Sequence, residues 1–156
     1  MSEDPDPVVA DLADSVFQVA GLLRAKFDAT AAELGLPPAQ AMALANLSAP
    51  APMRELADWL RCDASNVTGI VDGLERRGLV RRQPNPEDRR VKHLVLTEEG
   101  ERKRALLRQG SHADAVALFA LPRKDLLKLR ELLGRIAEAG LGAHAARTVR
   151  DSVPGA

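Results

Sequence analysis

Apolar residues recur three and four apart along the first part of the chain. Val9, Leu12, Val16, Val19, Leu23, Phe27, Ala31 and Leu34 form one stripe, which predicts a long helix over about 8–34. About 26 residues of helix span roughly 39 Å, more than a small domain needs for its own core, and pairing with a second chain is a natural use for the excess. Gly35 ends the stripe. Pro37 and Pro38 then open a short second helix, about 38–47, since proline's missing N–H is no loss in a first turn. The SAPAP segment, 48–52, reads as a connector. A third helix over 53–60 puts Met53, Leu56, Ala57 and Leu60 on one face. Asp63 is placed to N-cap a fourth, over 64–77. There Val67, Ile70, Val71 and Leu74 must face inward, which leaves Ser65, Thr68, Gly69, Asp72 and Arg76 on the outer face, with Asn66 and Gly73 beside them.

After Gly78 the pattern changes. Residues 79–83 read as a strand, 84–88 (PNPED) as an irregular loop, and 91–96 as the return strand, with Val91, His93 and Val95 on one face and Lys92, Leu94 and Leu96 on the other. Thr97 caps a fifth helix whose first turn carries Glu98 and Glu99, where the helix dipole favours acids; it should run to about 120. Pro122 starts a sixth, with Leu126, Leu129, Leu133 and Ile136 on one stripe, Leu127 and Leu132 widening it, and Gly140 and Gly142 ending it. Residues 1–7 are polar and acidic and read as a disordered prefix; 141–156 read as a C-terminal extension. The predicted fold is mainly α with a small β-wing: a winged helix-turn-helix over about 37–97, flanked by long dimerisation helices over 8–34 and 98–140, all within a single domain, 8–140.

Composition changes this picture little, but charge placement changes it a good deal. Lys plus Arg equals Asp plus Glu at 22 each, and aromatics are only 3%, which suits a helical core of Leu, Val and Ala. From 76 to 92 the basic residues are Arg76, Arg77, Arg81, Arg82, Arg89, Arg90 and Lys92, against the acids Glu87 and Asp88. A local basic surface on a neutral chain, directly after a helix-turn-helix, is the footprint of DNA contact. The small polar residues at the start of the fourth helix fit that use, because they let the backbone approach a groove and because a helix N-terminus favours phosphate. One cysteine excludes an intrachain disulfide framework. No apolar run is long enough for a membrane span and the N-terminus lacks signal-peptide order, so a cytoplasmic location is expected.

The order of elements, together with two adjacent motifs, resembles the MarR family of bacterial transcription regulators. One motif is the wing and helix start, DRRVKHLVLTEEG, from Asp88 to Gly100; the other is the recognition-helix segment SNVTGIVDGLERRGLV, from Ser65 to Val80. The resemblance covers about 8–140 and implies a homodimer that reads a near-palindromic double-stranded operator, with the first helix and the last two forming its interface. It implies that Asp88 positions the wing tip, that Arg90 enters the minor groove, and that Asp72 steadies this arginine when DNA is absent. Many relatives carry Arg where this chain has Gly69 and Gly73, which shifts the expected specificity to Ser65, Asn66, Thr68 and the wing. The expected DNA-binding set is therefore Ser65, Asn66, Thr68, Gly69, Asp72, Arg76, Arg81, Asp88, Arg89, Arg90 and Lys92. The expected function is repression, released by a small aromatic or lipophilic effector bound between dimer helices and reading heads. Phe17, Met42, Trp59 and His112 are candidates for that pocket, and Phe27 and Phe119 could line an apolar cavity with Phe17 and Met42, with ordinary packing as the alternative for each.

Other chemistry competes with this reading. Some members of the family sense oxidants through cysteine, which makes redox sensing by Cys62 one alternative; packing as a small apolar residue in the turn before the fourth helix is the simpler one. A regulator that responds to no ligand is another. His93, His112 and His144 lack ligand spacing, so no metal or other cofactor is expected. No phosphate-binding glycine loop or nucleophile motif points to an enzyme.

Overall fold

The computed structural model describes residues 6–47, 50–60 and 64–151. Cys62, and Asp63 with its expected cap, lie outside the described residues, as do the side chains of Trp59 and His144 and the ends 1–5 and 152–156. Six helices and a small sheet follow in the order α1 (Pro7–Glu33), α2 (Pro38–Asn46), β1 (Ala51–Pro52), α3 (Met53–Leu60), α4 (Ala64–Arg76), β2 (Val80–Pro84), β3 (Lys92–Leu96), α5 (Glu98–Leu118) and α6 (Arg123–Asp151). The chain divides into two units, Met1–Ala115 and Val116–Ala156.

The termini of α1 explain its length. The Asp6 carboxylate accepts from the Val8 amide at 3.0 Å and Pro7 takes the first helical position, so order begins inside the expected prefix. At the other end Gly35 takes φ +67°, the Gly35 amide donates to the Ala32 carbonyl at 2.9 Å, and the Leu36 amide donates to that of Ala31 at 2.9 Å. This pair of bonds needs a left-handed residue, which glycine supplies without a Cβ clash. Gly78 closes α4 in the same way at φ +68°, with the Leu79 amide donating to the Leu74 carbonyl at 3.0 Å. Leu36 and Leu79, the residues that follow these two glycines, are both buried.

Two expectations about α6 and the connector are corrected. Gly140 and Gly142 do not end α6, which continues to Asp151. Inside a helix glycine costs about 1 kcal/mol but stops nothing unless it turns left-handed, and Gly140 does not. The SAPAP connector contains a strand: Ala51 pairs with Leu94 and Pro52 with His93. Two residues are too few to show alternation, and proline is tolerated there because β1 is an edge strand in the antiparallel order β1-β3-β2. Strand β2 runs one residue later than expected, and β3 starts one residue later but ends at Leu96 as expected, with Val80 opposite Leu96 and Pro84 opposite Lys92.

The core of the first unit joins Ala31 of α1, Leu44 and Leu47 near α2, Leu56 of α3, Val67, Val71 and Leu74 of α4, Leu79, Val80 and Leu94 of the sheet, and Leu107 of α5. The predicted inward stripe of α4 is the one that is buried. Among the described residues, no helix is long and apolar enough to cross a membrane.

Candidate nucleic-acid interface

Ser65, Asn66, Thr68, Gly69 and Arg76 are exposed along the outer face of α4, as expected. A side chain at Gly69 would meet open space. Gly73 is different. It is buried, and a Cβ there would run into the Gln40 side-chain amide of α2. Its lack of a side chain serves helix packing, so the sequence reading placed it on the wrong face: one residue past the Gly69–Asp72 arc, the helix has already turned toward α2.

The wing tip is built from side chains that bond to nearby backbone. The Asn85 amide donates to the Val91 carbonyl at 2.8 Å, which closes the loop, and the Val91 amide donates to the Asp88 carbonyl at 3.0 Å. Inside the loop, Asn85 Oδ1 accepts from the Glu87 amide and Asp88 Oδ1 accepts from the Arg90 amide, both at 3.0 Å. Asn and Asp favour such turns because their short side chains reach the backbone two residues on. Asp88 therefore holds the turn that carries Arg89 and Arg90, both exposed.

The basic residues separate into two groups. Arg77 donates to the Gly35 carbonyl at 3.0 Å, satisfying the end of α1. Lys103 does likewise at Leu34 (2.8 Å) and Arg104 at Leu47 (2.8 Å), where helix C-termini favour cations. Arg76, Arg81, Arg89, Arg90 and Lys92 form no ion pair among the described residues and remain exposed. Arg76 stands on α4, Arg81 on β2, Lys92 on β3, and Arg89 and Arg90 in the loop between the two strands.

Asp72 does not pair with Arg90. Its partner is Arg82 on β2, at 2.5 Å, and Arg82 also pairs with Glu75. Strand alternation accounts for the change: Arg81 points out, while Arg82 turns toward α4 and keeps only 22% of its side chain exposed. The hydrogen bond that Arg82 donates to Asp72 raises the Arg82 pKa above its ordinary value, with burial opposing and Glu75 adding to the rise. A raised basic group stabilises the fold at every pH below its ordinary value, so this contribution is constant through the neutral range and is lost only in strong alkali. The sequence reading missed Arg82 as a site residue, although acids three apart on α4 facing an inward strand position were a visible signal.

Thr97 and Gly100 join the wing to α5. Thr97 Oγ1 accepts from the Gly100 amide at 3.0 Å and donates to the Gly78 carbonyl at 2.6 Å, so one hydroxyl caps α5 and fastens the end of α4. A Cβ at Gly100 would overlap the Leu79 carbonyl oxygen.

A cavity of about 410 Å³ opens beside the reading head, lined by Ala20, Leu23, Arg24 and Phe27 of α1, Met42 of α2, and Ser111 and Asp114 of α5. Of the expected residues whose side chains are described, Phe27 and Met42 line it, and Phe17 and His112 do not. Phe17 is 77% exposed, one turn before Ala20 on a half of α1 where residues 6–22 are exposed throughout. His112 is also exposed; the inner stripe of α5 runs through Leu107, Gly110, Ser111 and Asp114, about a hundred degrees away. Arg24 pairs with Asp28 at 3.0 Å, and Asp114 with Lys26 at 3.1 Å.

Comparison with known proteins gives a consistent result. The MarR family profile matches residues 36–92. The HTH-type transcriptional repressor MdtR of Bacillus subtilis is 33% identical over 108 residues, 67% of this chain and 70% of its own length. Among solved structures, CouR from Rhodococcus jostii RHA1 bound to p-coumaroyl-CoA is 30% identical, with 81% of this chain and 92% of that one covered and a TM-score of 0.70. AbsC, a MarR family transcriptional regulator from Streptomyces coelicolor, is 25% identical over 90% of this chain and 99% of that one, with a TM-score of 0.77.

Proposed function

The chain belongs to the MarR family of DNA-binding transcriptional regulators, which are not enzymes, and from that premise we propose that it is a homodimeric repressor whose operator affinity responds to a small apolar effector. The observation that carries this reading is the wing turn, in which Asp88 holds the backbone of Arg90 and leaves Arg89 and Arg90 exposed, as the polar face of α4 is. Ser65, Asn66, Thr68 and Gly69 would approach base edges in the major groove. Arg90 would enter the minor groove, and Arg76, Arg81, Arg89 and Lys92 would take phosphates.

Dimerisation is supported by the apolar stripe of α1. Val9, Leu12, Val16 and Val19 are exposed, as are Leu127, Leu132, Leu133 and Ile136 on α6. An apolar face of that length, left in water, marks an interaction surface. In a dimer competent for DNA the two α4 helices would stand about 34 Å apart, one turn of the duplex.

An effector is supported by the cavity and by the ligand that CouR carries. The cavity's apolar lining of Ala20, Leu23, Phe27 and Met42 suits a flat aromatic or lipophilic group, with Ser111 and Arg24 at hand for a polar end. Such a ligand lowers DNA affinity only to the extent that it binds a dimer with a different head spacing more tightly.

The test is a gel shift on DNA from upstream of the protein's own gene. The wild-type protein should bind, and Arg90→Ala should weaken binding by about tenfold or more while leaving the dimer folded. Equal affinity for the two proteins would remove Arg90 from the interface.

A further inference from the structure

Among the described residues of the reading head, Arg82 is the one basic residue that is tied to α4 from both its side chain and its backbone. Its guanidinium pairs with Asp72 at 2.5 Å and with Glu75, and its own amide donates to Glu75 Oε1 at 3.4 Å. That amide lies on the outer edge of β2, the strand at the side of the sheet away from β1, so the bond to Glu75 takes the place of a strand neighbour. At its base the wing is fastened by the pairing of β3 with β1 and by Val80 and Leu94 in the core; toward the tip, among the described residues, the backbone bonds stay within the wing.

We infer that Arg82 is a positioning residue for DNA recognition: by bridging Asp72 and Glu75 it fixes the angle between the recognition helix and the wing, and so decides where the tip arginines fall on the duplex. The inference rests on the DNA-binding reading above. The lever arm shows why an angle matters. From Arg82 to the tip is about five residues, or roughly 16 Å of strand. A tilt of about ten degrees at the anchor moves the tip by roughly 3 Å, well beyond the about 0.5 Å within which a binding constellation must be held.

Charge supports the same assignment. Asp72 and Glu75 are both half-exposed on the helix that would meet phosphate, and unpaired acids there would repel DNA. Arg82 offsets part of this repulsion while its planar fork reaches both carboxylates, which a lysine ammonium cannot do with the same geometry. A direct phosphate contact by Arg82 is disfavoured, because it would break both pairs and leave two bare carboxylates at the interface.

The assignment reverses the sign expected from charge alone. Changing Asp72→Asn and Glu75→Gln together makes each reading head more positive, which by electrostatics should tighten DNA binding. The bridge account predicts that this double variant binds the operator about tenfold more weakly, as does Arg82→Ala, and that Arg82→Lys recovers only part of the loss. It also predicts a sub-additive cycle: in the Arg82→Ala background, Arg90→Ala costs less than about threefold, since the tip is already misplaced. In the DNA-free protein the amide at position 82 should exchange with solvent faster in Arg82→Ala, with the thermal midpoint within a few degrees of wild type.

Operator binding by the double variant that is unchanged or tighter overturns the inference, and so does strict additivity of Arg82→Ala with Arg90→Ala. Wild-type protein that fails to bind upstream DNA would instead overturn the DNA-binding reading; amide exchange at position 82 then judges the anchor separately, and unchanged protection in Arg82→Ala would refute it.

Discussion

Three glycines of the reading head look alike in the sequence and do unlike things. Gly69 faces open space, Gly73 faces the end of the Gln40 side chain, and Gly100 faces the backbone carbonyl of Leu79. A flexible side chain can withdraw, whereas a carbonyl held between β2 and α5 cannot. Gly100→Ala should therefore destabilise the fold by at least about 1–3 kcal/mol, the range for overpacking a filled site. Gly69→Ala, in contrast, should stabilise it by up to about 1 kcal/mol through helix propensity. Denaturant titration of the two variants checks the contrast, and equal midpoints would contradict the packing described. Gly100→Ala also threatens function indirectly, since Gly100 and Thr97 together hold the start of α5 against the end of α4.

At the scale of elements, period and punctuation were enough to place all six helices. The long apolar stripe, the two prolines before α2 and the glycines at 35 and 78 each act through local geometry, so each was legible in the sequence. Features that depend on a neighbouring element were not. Strand β1 exists only because β3 lies beside it, Gly73 is buried only because α2 crosses there, and Arg82 rather than Arg90 pairs with Asp72 because β2 turns that residue toward α4. The same limit applied to the cavity: the stripe of α1 was visible, but which of its turns meets α2 and α5 was not, so Phe17 and Phe27 looked equally suited and only Phe27, with Leu23, lines it. The exposed apolar face of α1 carries its own prediction. Val16→Glu places a charge in the middle of that face, 45% exposed in the single chain, and should turn dimer into monomer by sedimentation without loss of helical circular dichroism. An unchanged sedimentation coefficient would move the dimer interface elsewhere.

For the molecule as a whole, net charge is zero, so any affinity for DNA must come from where the charges are placed. Acids dominate the N-terminal forty residues, while Arg76, Arg81, Arg89, Arg90 and Lys92 are exposed on the reading head and form no ion pair among the described residues. Neutralising phosphates with such residues releases counterions, and the logarithm of affinity then falls linearly with the logarithm of salt concentration, by about 0.9 per phosphate. The most direct measurement is therefore operator affinity against salt, by fluorescence anisotropy, for wild-type protein and for Arg89→Ala. The account predicts a steep line for the wild type and a slope shallower by roughly two for the variant, because each of two subunits gives up one phosphate contact. An affinity indifferent to salt, or a slope that Arg89→Ala leaves unchanged, would contradict the claim that the wing delivers its cations to DNA.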